Sequence, residues 1–106
     1  MIVTLKRGDT APPLAYTIRN PDTTPIDLTG PTVRFLMQTA PGNVVANQPA
    51  TITSATRGEV AYQWAAADTA NPGTYSAEFE ITLPGGRKRT HPERDFIIVH
   101  VVRDVA

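Results

Sequence analysis

Apolar and polar side chains alternate one for one along much of the chain, the pattern of strands with one face buried and the other in water. In PLAYTIR, Leu14, Tyr16 and Ile18 share a face opposite Ala15, Thr17 and Arg19. TVRFLMQ sets Val33, Phe35 and Met37 against Arg34 and Gln38, and Leu36 on the polar side predicts an outer face that is not fully wet. EVAYQW alternates Val60, Tyr62 and Trp64 with Glu59, Ala61 and Gln63, and the segment from Thr74 places Tyr75, Ala77, Phe79 and Ile81 opposite Ser76, Glu78, Glu80 and Thr82. NVVA, ATIT and RKRT are shorter strand candidates. FIIVHVV, residues 96–102, breaks the alternation because both of its faces are apolar, so both must be accounted for.

Turn chemistry separates these runs. NPDTTPIDLTGP reads as a loop, because Pro fixes φ, Gly permits positive φ and Asn or Asp bonds nearby backbone. LPGGRK reads as a hairpin with Gly85 and Gly86 in the turn. AADTANPG is the one place where the pattern allows a helical turn. The chain has ten prolines and seven glycines in 106 residues, which favours many turns over long helices. Together these signals predict an all-β fold, an antiparallel sandwich of about 7–9 short strands. Its expected core is Leu14, Ile18, Val33, Phe35, Val60, Tyr62, Trp64, Tyr75, Phe79, Ile81, Val99 and Val101. The length suits a single domain spanning residues 1–106, since two halves would each bury too little apolar surface.

Composition narrows the function classes. Lys+Arg and Asp+Glu number ten each, so no net charge draws the chain to nucleic acid or to an anionic membrane. With no cysteine there is no disulfide framework, thiolate metal site or cysteine nucleophile. MIVTLKRGD lacks a secretory apolar run, and no stretch approaches the roughly 20 apolar residues of a membrane span. Synthesis in the cytoplasm without a signal peptide is therefore expected.

Candidate chemistry is sparse. His91, Glu93 and Asp95 in THPERD would form a metal cluster only if the loop folded back on itself, and a histidine before proline in a loop is expected to be exposed. His100 sits where a strand residue at a sheet surface or interface is expected. PGG lacks the flanks of a phosphate-binding loop, and GRKRTHPER, residues 86–94, carries four Lys and Arg residues and His91 without aromatics interleaved for base stacking. Asp22, Asp27, Asp68 and Asp104 could supply calcium oxygens, but the first three suit turns better. With no convergent acid, base and nucleophile, no enzymatic activity, cofactor or metal is expected.

In immunoglobulin-like sandwiches a tyrosine at the start of one strand bonds back to upstream backbone at the preceding corner. Asp68, Gly73 and Tyr75 in ADTANPGTYSAEFEIT resemble that corner, with Ala77 where antibody domains carry a cysteine. A wider likeness runs through GDTAPPLAYTIRNPDTTPIDLTGPTVRFLM, GEVAYQW, the corner segment and LPGGRKRTHP. In series they resemble the immunoglobulin-like domain at the N-terminus of phage baseplate upper proteins, over about Val3 to Val102. The resemblance implies a non-enzymatic structural subunit of a tailed-phage virion in tail, baseplate, neck or head. Its partners would be other virion proteins, with the chain present as a homo-oligomer or in several copies of a symmetric assembly. It brings no catalytic residues. The alternative is a carbohydrate- or host-surface-binding module, which would need Tyr16, Tyr62 or Trp64 exposed for stacking.

The last apolar run is where docking would be legible. If Ile97, Val99 and Val101 fill the core, then Phe96, Ile98, His100 and Val102 lie on the other face, and water is a poor neighbour for such a strip. The expected cover is another virion subunit, against this face or the strand edge beside it; the intrachain alternative is that residues near the N-terminus such as Ile2, or the C-terminal tail, fold over it.

Overall fold

The computed structural model describes residues 1–93 and 95–105. Among these residues, nine strands and one 3-10 turn, Ala66–Thr69, follow in chain order: β1 Ile2–Lys6, β2 Leu14–Thr17, β3 Thr32–Gln38, β4 Val44–Pro49, β5 Thr51–Ser54, β6 Glu59–Tyr62, β7 Gly73–Thr82, β8 Lys88–His91 and β9 Ile97–Val102. They form an all-β sandwich. The larger sheet has the order β1-β9-β7-β3-β4 with β8 also paired to β7, and the smaller is β2-β6-β5. Strand β7 is long enough to take two partners along one edge: β9 pairs with Gly73–Ala77 and β8 with Phe79–Thr82. Among the described residues no helix is long and apolar enough to cross a membrane.

The two sheets meet through the alternating apolar positions, and every residue expected in the core is buried. Phe35 of β3 stacks on Tyr62 of β6 with centroids 4.1 Å apart, and Tyr16 of β2 stacks on Phe79 of β7 at 5.3 Å. Trp64 stands edge-on to Phe35 at 5.6 Å. Such pairs add about 0.5–1.5 kcal/mol each to the burial of their rings. The loop between β2 and β3 also reaches inside. Ile26 N–H bonds the Ile18 carbonyl at 3.0 Å and Leu28 N–H bonds the Ala55 carbonyl at 2.8 Å, which turns both side chains into the core. Gly58 makes this closure possible: a Cβ there would stand 2.5 Å from the Ile18 carbonyl oxygen and 2.9 Å from that of Ile26.

Two sequence expectations are corrected. The larger sheet is mixed rather than antiparallel, because β1, which no alternation marked, runs parallel to β9 from Ile2↔Ile98 to Lys6↔Val102. It holds there by turning Leu5 into the core and packing Val3 against it. Strand β9 is therefore an interior strand, flanked by β1 and β7, and offers no free edge for docking. The second correction is His91, which is 3% exposed and not a solvated loop residue. Its register opposite Phe79 points it at the core.

Candidate docking surface

The outward positions of the larger sheet line up across its strands. Ile2 faces Ile98, Ile98 faces Ser76, Ser76 faces Gln38 and Gln38 faces Val44, one row crossing β1, β9, β7, β3 and β4. Its ends are apolar and open: Ile2 is 69% and Val44 52% exposed. Phe96, just before β9, is 43% exposed and borders a groove of about 130 Å³ with Leu36, Val44, Glu78, Ser76 and Gln38. At the other end of β9, Val102 is 40% exposed opposite Lys6.

The four candidate docking residues thus spread over three places on one face. Phe96 sits at the groove, Ile98 in the cross-sheet row, and His100 and Val102 further along β9. His100 is half-buried, opposite Thr74 and 3.1 Å from its hydroxyl. Strand β1 pairs beside β9 and extends the apolar row with Ile2 instead of covering it. Ile2, Leu36, Val44 and Glu78 belong to the same surface; from sequence Ile2 figured only as a cover for β9, and neither Val44 nor Glu78 was assigned to a docking face. Leu36 carried the one signal, an apolar residue on a polar face. The positions that join it come from strands far apart in the chain.

The corner residues form two separate hydrogen-bonded units. The Tyr75 hydroxyl donates to the Asn71 carbonyl, which pins the start of β7 to the turn before it. Asp68 bonds elsewhere: it accepts the Tyr62 hydroxyl at 2.6 Å and the Ala65 N–H at 2.8 Å. Burial, then the bond to Asp68, pushes the Tyr62 hydroxyl's pKa well above its ordinary value. Gly73 opens β7 directly before the tyrosine segment.

The other polar candidates are occupied individually. Glu93 pairs with Arg89 at 3.0 Å, and Asp95 accepts the Phe96 N–H at 2.8 Å, while His91 points inward. Burial, then the nearby Arg89 charge, pushes the His91 pKa down against the opposing pull of Glu93. Thr24 and Thr29 donate to Asp22 and Asp27 and hold both carboxyls below the usual range. Asp104 pairs with Arg7 at 2.8 Å. Among the described residues, no three His, Asp or Glu side chains converge as a metal site. Tyr62 and Trp64 are buried, and Tyr16 is half-buried and stacked on Phe79, so none of the three is the fully exposed ring that sugar stacking would use.

Two solved structures share this architecture. The N-terminal domain of ORF48 from phage TP901-1 superposes with a TM-score of 0.62 at 19% identity, over 98% of this chain and 85% of that one. The crystal structure of CopC from Methylosinus trichosporium OB3b gives a TM-score of 0.55 at 9% identity, over 98% and 86%. At these identities both attest the fold alone. No curated protein sequence matches the chain. Residues 2–101 match the family model described as the BppU N-terminal domain, BppU being a baseplate upper protein.

Proposed function

The chain belongs to the BppU N-terminal domain family of phage baseplate proteins, and on that premise we propose that it is a non-enzymatic structural subunit that docks the outer face of its larger sheet onto another virion protein. The observation that carries this reading is the apolar row and groove on that face, with Ile2, Val44, Phe96 and Val102 in water. Each large apolar side chain gains about 1.5–3 kcal/mol on full burial, so a face that leaves several of them open is suited to being covered. Because β9 lies inside its sheet, contact is through side chains on the face and not through strand addition to β9. The residues that meet the partner are Phe96, Ile98, His100 and Val102, extended by Ile2, Leu36 and Val44.

The test is incorporation. Ile98 and Val102 point away from the core, so changing both to Ser leaves the isolated domain folded, with a melting temperature close to wild type. The same double variant is expected to be absent from purified phage particles probed by immunoblot. Normal incorporation of the folded variant refutes docking through this face.

A further inference from the structure

Glu78 is the discordant residue of this surface. It stands outward on β7 opposite Leu36, is half-buried, and lines the groove with Phe96 and Val44. Two positions along, Glu80 has Lys88 Nζ 3.6 Å away. Arg34, outward on β3 and opposite Glu80, commits its guanidinium to Asn47, with Nε and Nη2 each 2.9 Å from its acceptors. Glu78 has no hydrogen-bond or ion-pair partner among the described residues. A carboxylate left unpaired beneath a docked protein would lose its hydration without compensation, so the partner must bring the missing charge.

Resting on the docking reading above, we propose that the groove receives an arginine from another virion protein, its guanidinium bonded to Glu78 and laid against the Phe96 ring. Each part of the groove matches a part of that side chain. The aliphatic stem lies along apolar walls such as Leu36 and Val44. The planar cation stacks on an exposed aromatic face and donates to the carboxylate in one geometry, which an ammonium cannot do. A second copy of this chain fits poorly. Strand β7 is the middle strand of the face, so a two-fold stack of the face on itself with its axis near that strand would bring Glu78 toward its own symmetry mate, like charge against like charge.

The experiment compares Glu78→Gln, Glu78→Arg and Phe96→Leu with the double Ser variant of Ile98 and Val102, all measured by immunoblot of purified particles and by thermal melting of the purified chain. Glu78→Gln keeps the shape and removes the charge; it is expected to lower incorporation at least tenfold with an unchanged melt. Glu78→Arg is expected to abolish incorporation, and Phe96→Leu, which keeps an apolar side chain and removes the ring, to reduce it. If Glu78→Gln incorporates normally while the Ile98 and Val102 variant is lost, docking stands and the arginine contact is overturned, whatever Glu78→Arg does. If all variants incorporate normally, both readings fall. If sedimentation shows that the wild-type chain is a dimer strengthened by Glu78→Gln, the occupant is a second copy and the proposal is overturned.

Discussion

The Tyr62 hydroxyl donates a 2.6 Å hydrogen bond to the Asp68 carboxylate, and the same oxygen accepts the Ala65 N–H at 2.8 Å. One buried acid thereby ties the last residue of β6 to the turn that leads into β7. A hydrogen bond to a charged group contributes about 1.5–3 kcal/mol, so Tyr62→Phe should lose that amount in urea unfolding. Asp68→Ala should lose more, because it strands both the hydroxyl and the amide. The folded chain also keeps Tyr62 protonated where the unfolded chain ionises it. Stability should therefore fall as the pH rises above about 10, and Tyr62→Phe should make that limb shallower, leaving the part contributed by Tyr16, whose hydroxyl burial also pushes up. Equal losses for the two variants would show that Asp68 holds nothing but the tyrosine.

His91 predicts the acid limb. Its folded-state pKa lies below the ordinary value, mainly through burial, so as the pH falls the unfolded chain takes up a proton that the folded chain refuses. Stability is full above about pH 6.5 and declines from there toward the lower folded-state pKa. Among the described residues the ring's Nε2 has no hydrogen-bond partner, so a leucine of similar bulk strands nothing new. Urea midpoints between pH 7.5 and 5 should fall for wild type and stay level for His91→Leu. Parallel curves for the two proteins would exclude His91 as the source.

What could be read in the sequence and what could not follow from how many segments each feature needs. Strand β3, Thr32–Gln38, coincides with the alternating run TVRFLMQ because one face of one segment specifies it. Strand β1 escaped notice because its place depends on a parallel pairing with residues 96 positions away, and local alternation carries no information about orientation. His91 misled because a polar residue beside a proline resembles a loop, whereas its register with Phe79 places it inside. For the proposed docking face, Phe96, Ile98 and Val102 were legible as a run apolar on both faces. Glu78 was legible only as one more outward residue, until the groove set it beside Phe96 and Leu36.

Gly58 holds a φ of 65° with the Ile18 and Ile26 backbone packed where a side chain would begin. Gly85, in the β7–β8 hairpin, has a φ of 93° and open space around it. Alanine at Gly85 meets only the left-handed backbone penalty, about 1–2 kcal/mol. Alanine at Gly58 meets that penalty and a collision with two carbonyls, so it should cost clearly more and free the loop that carries Ile26 and Leu28. Hydrogen exchange at the Ile26 and Leu28 amides in Gly58→Ala checks the mechanism; protection equal to wild type would sink it.

Phe79 and Phe96 are the same side chain in opposite circumstances, and their alanine variants should separate stability from assembly. Phe79 has no solvent exposure and touches rings from both sheets, with Phe35 at 5.4 Å and Tyr16 at 5.3 Å. Phe79→Ala should therefore cost roughly 3–5 kcal/mol and lower particle incorporation only by depleting folded chain. Phe96 lies on the outer face with 43% of its surface open, so its removal takes little from the core. Phe96→Ala should change the unfolding free energy by less than about 1 kcal/mol. Its loss should appear in the particle, as reduced incorporation of a chain whose melt is that of wild type. If Phe96→Ala is instead as destabilising as Phe79→Ala, the ring belongs to the fold and the docking surface must be redrawn without it.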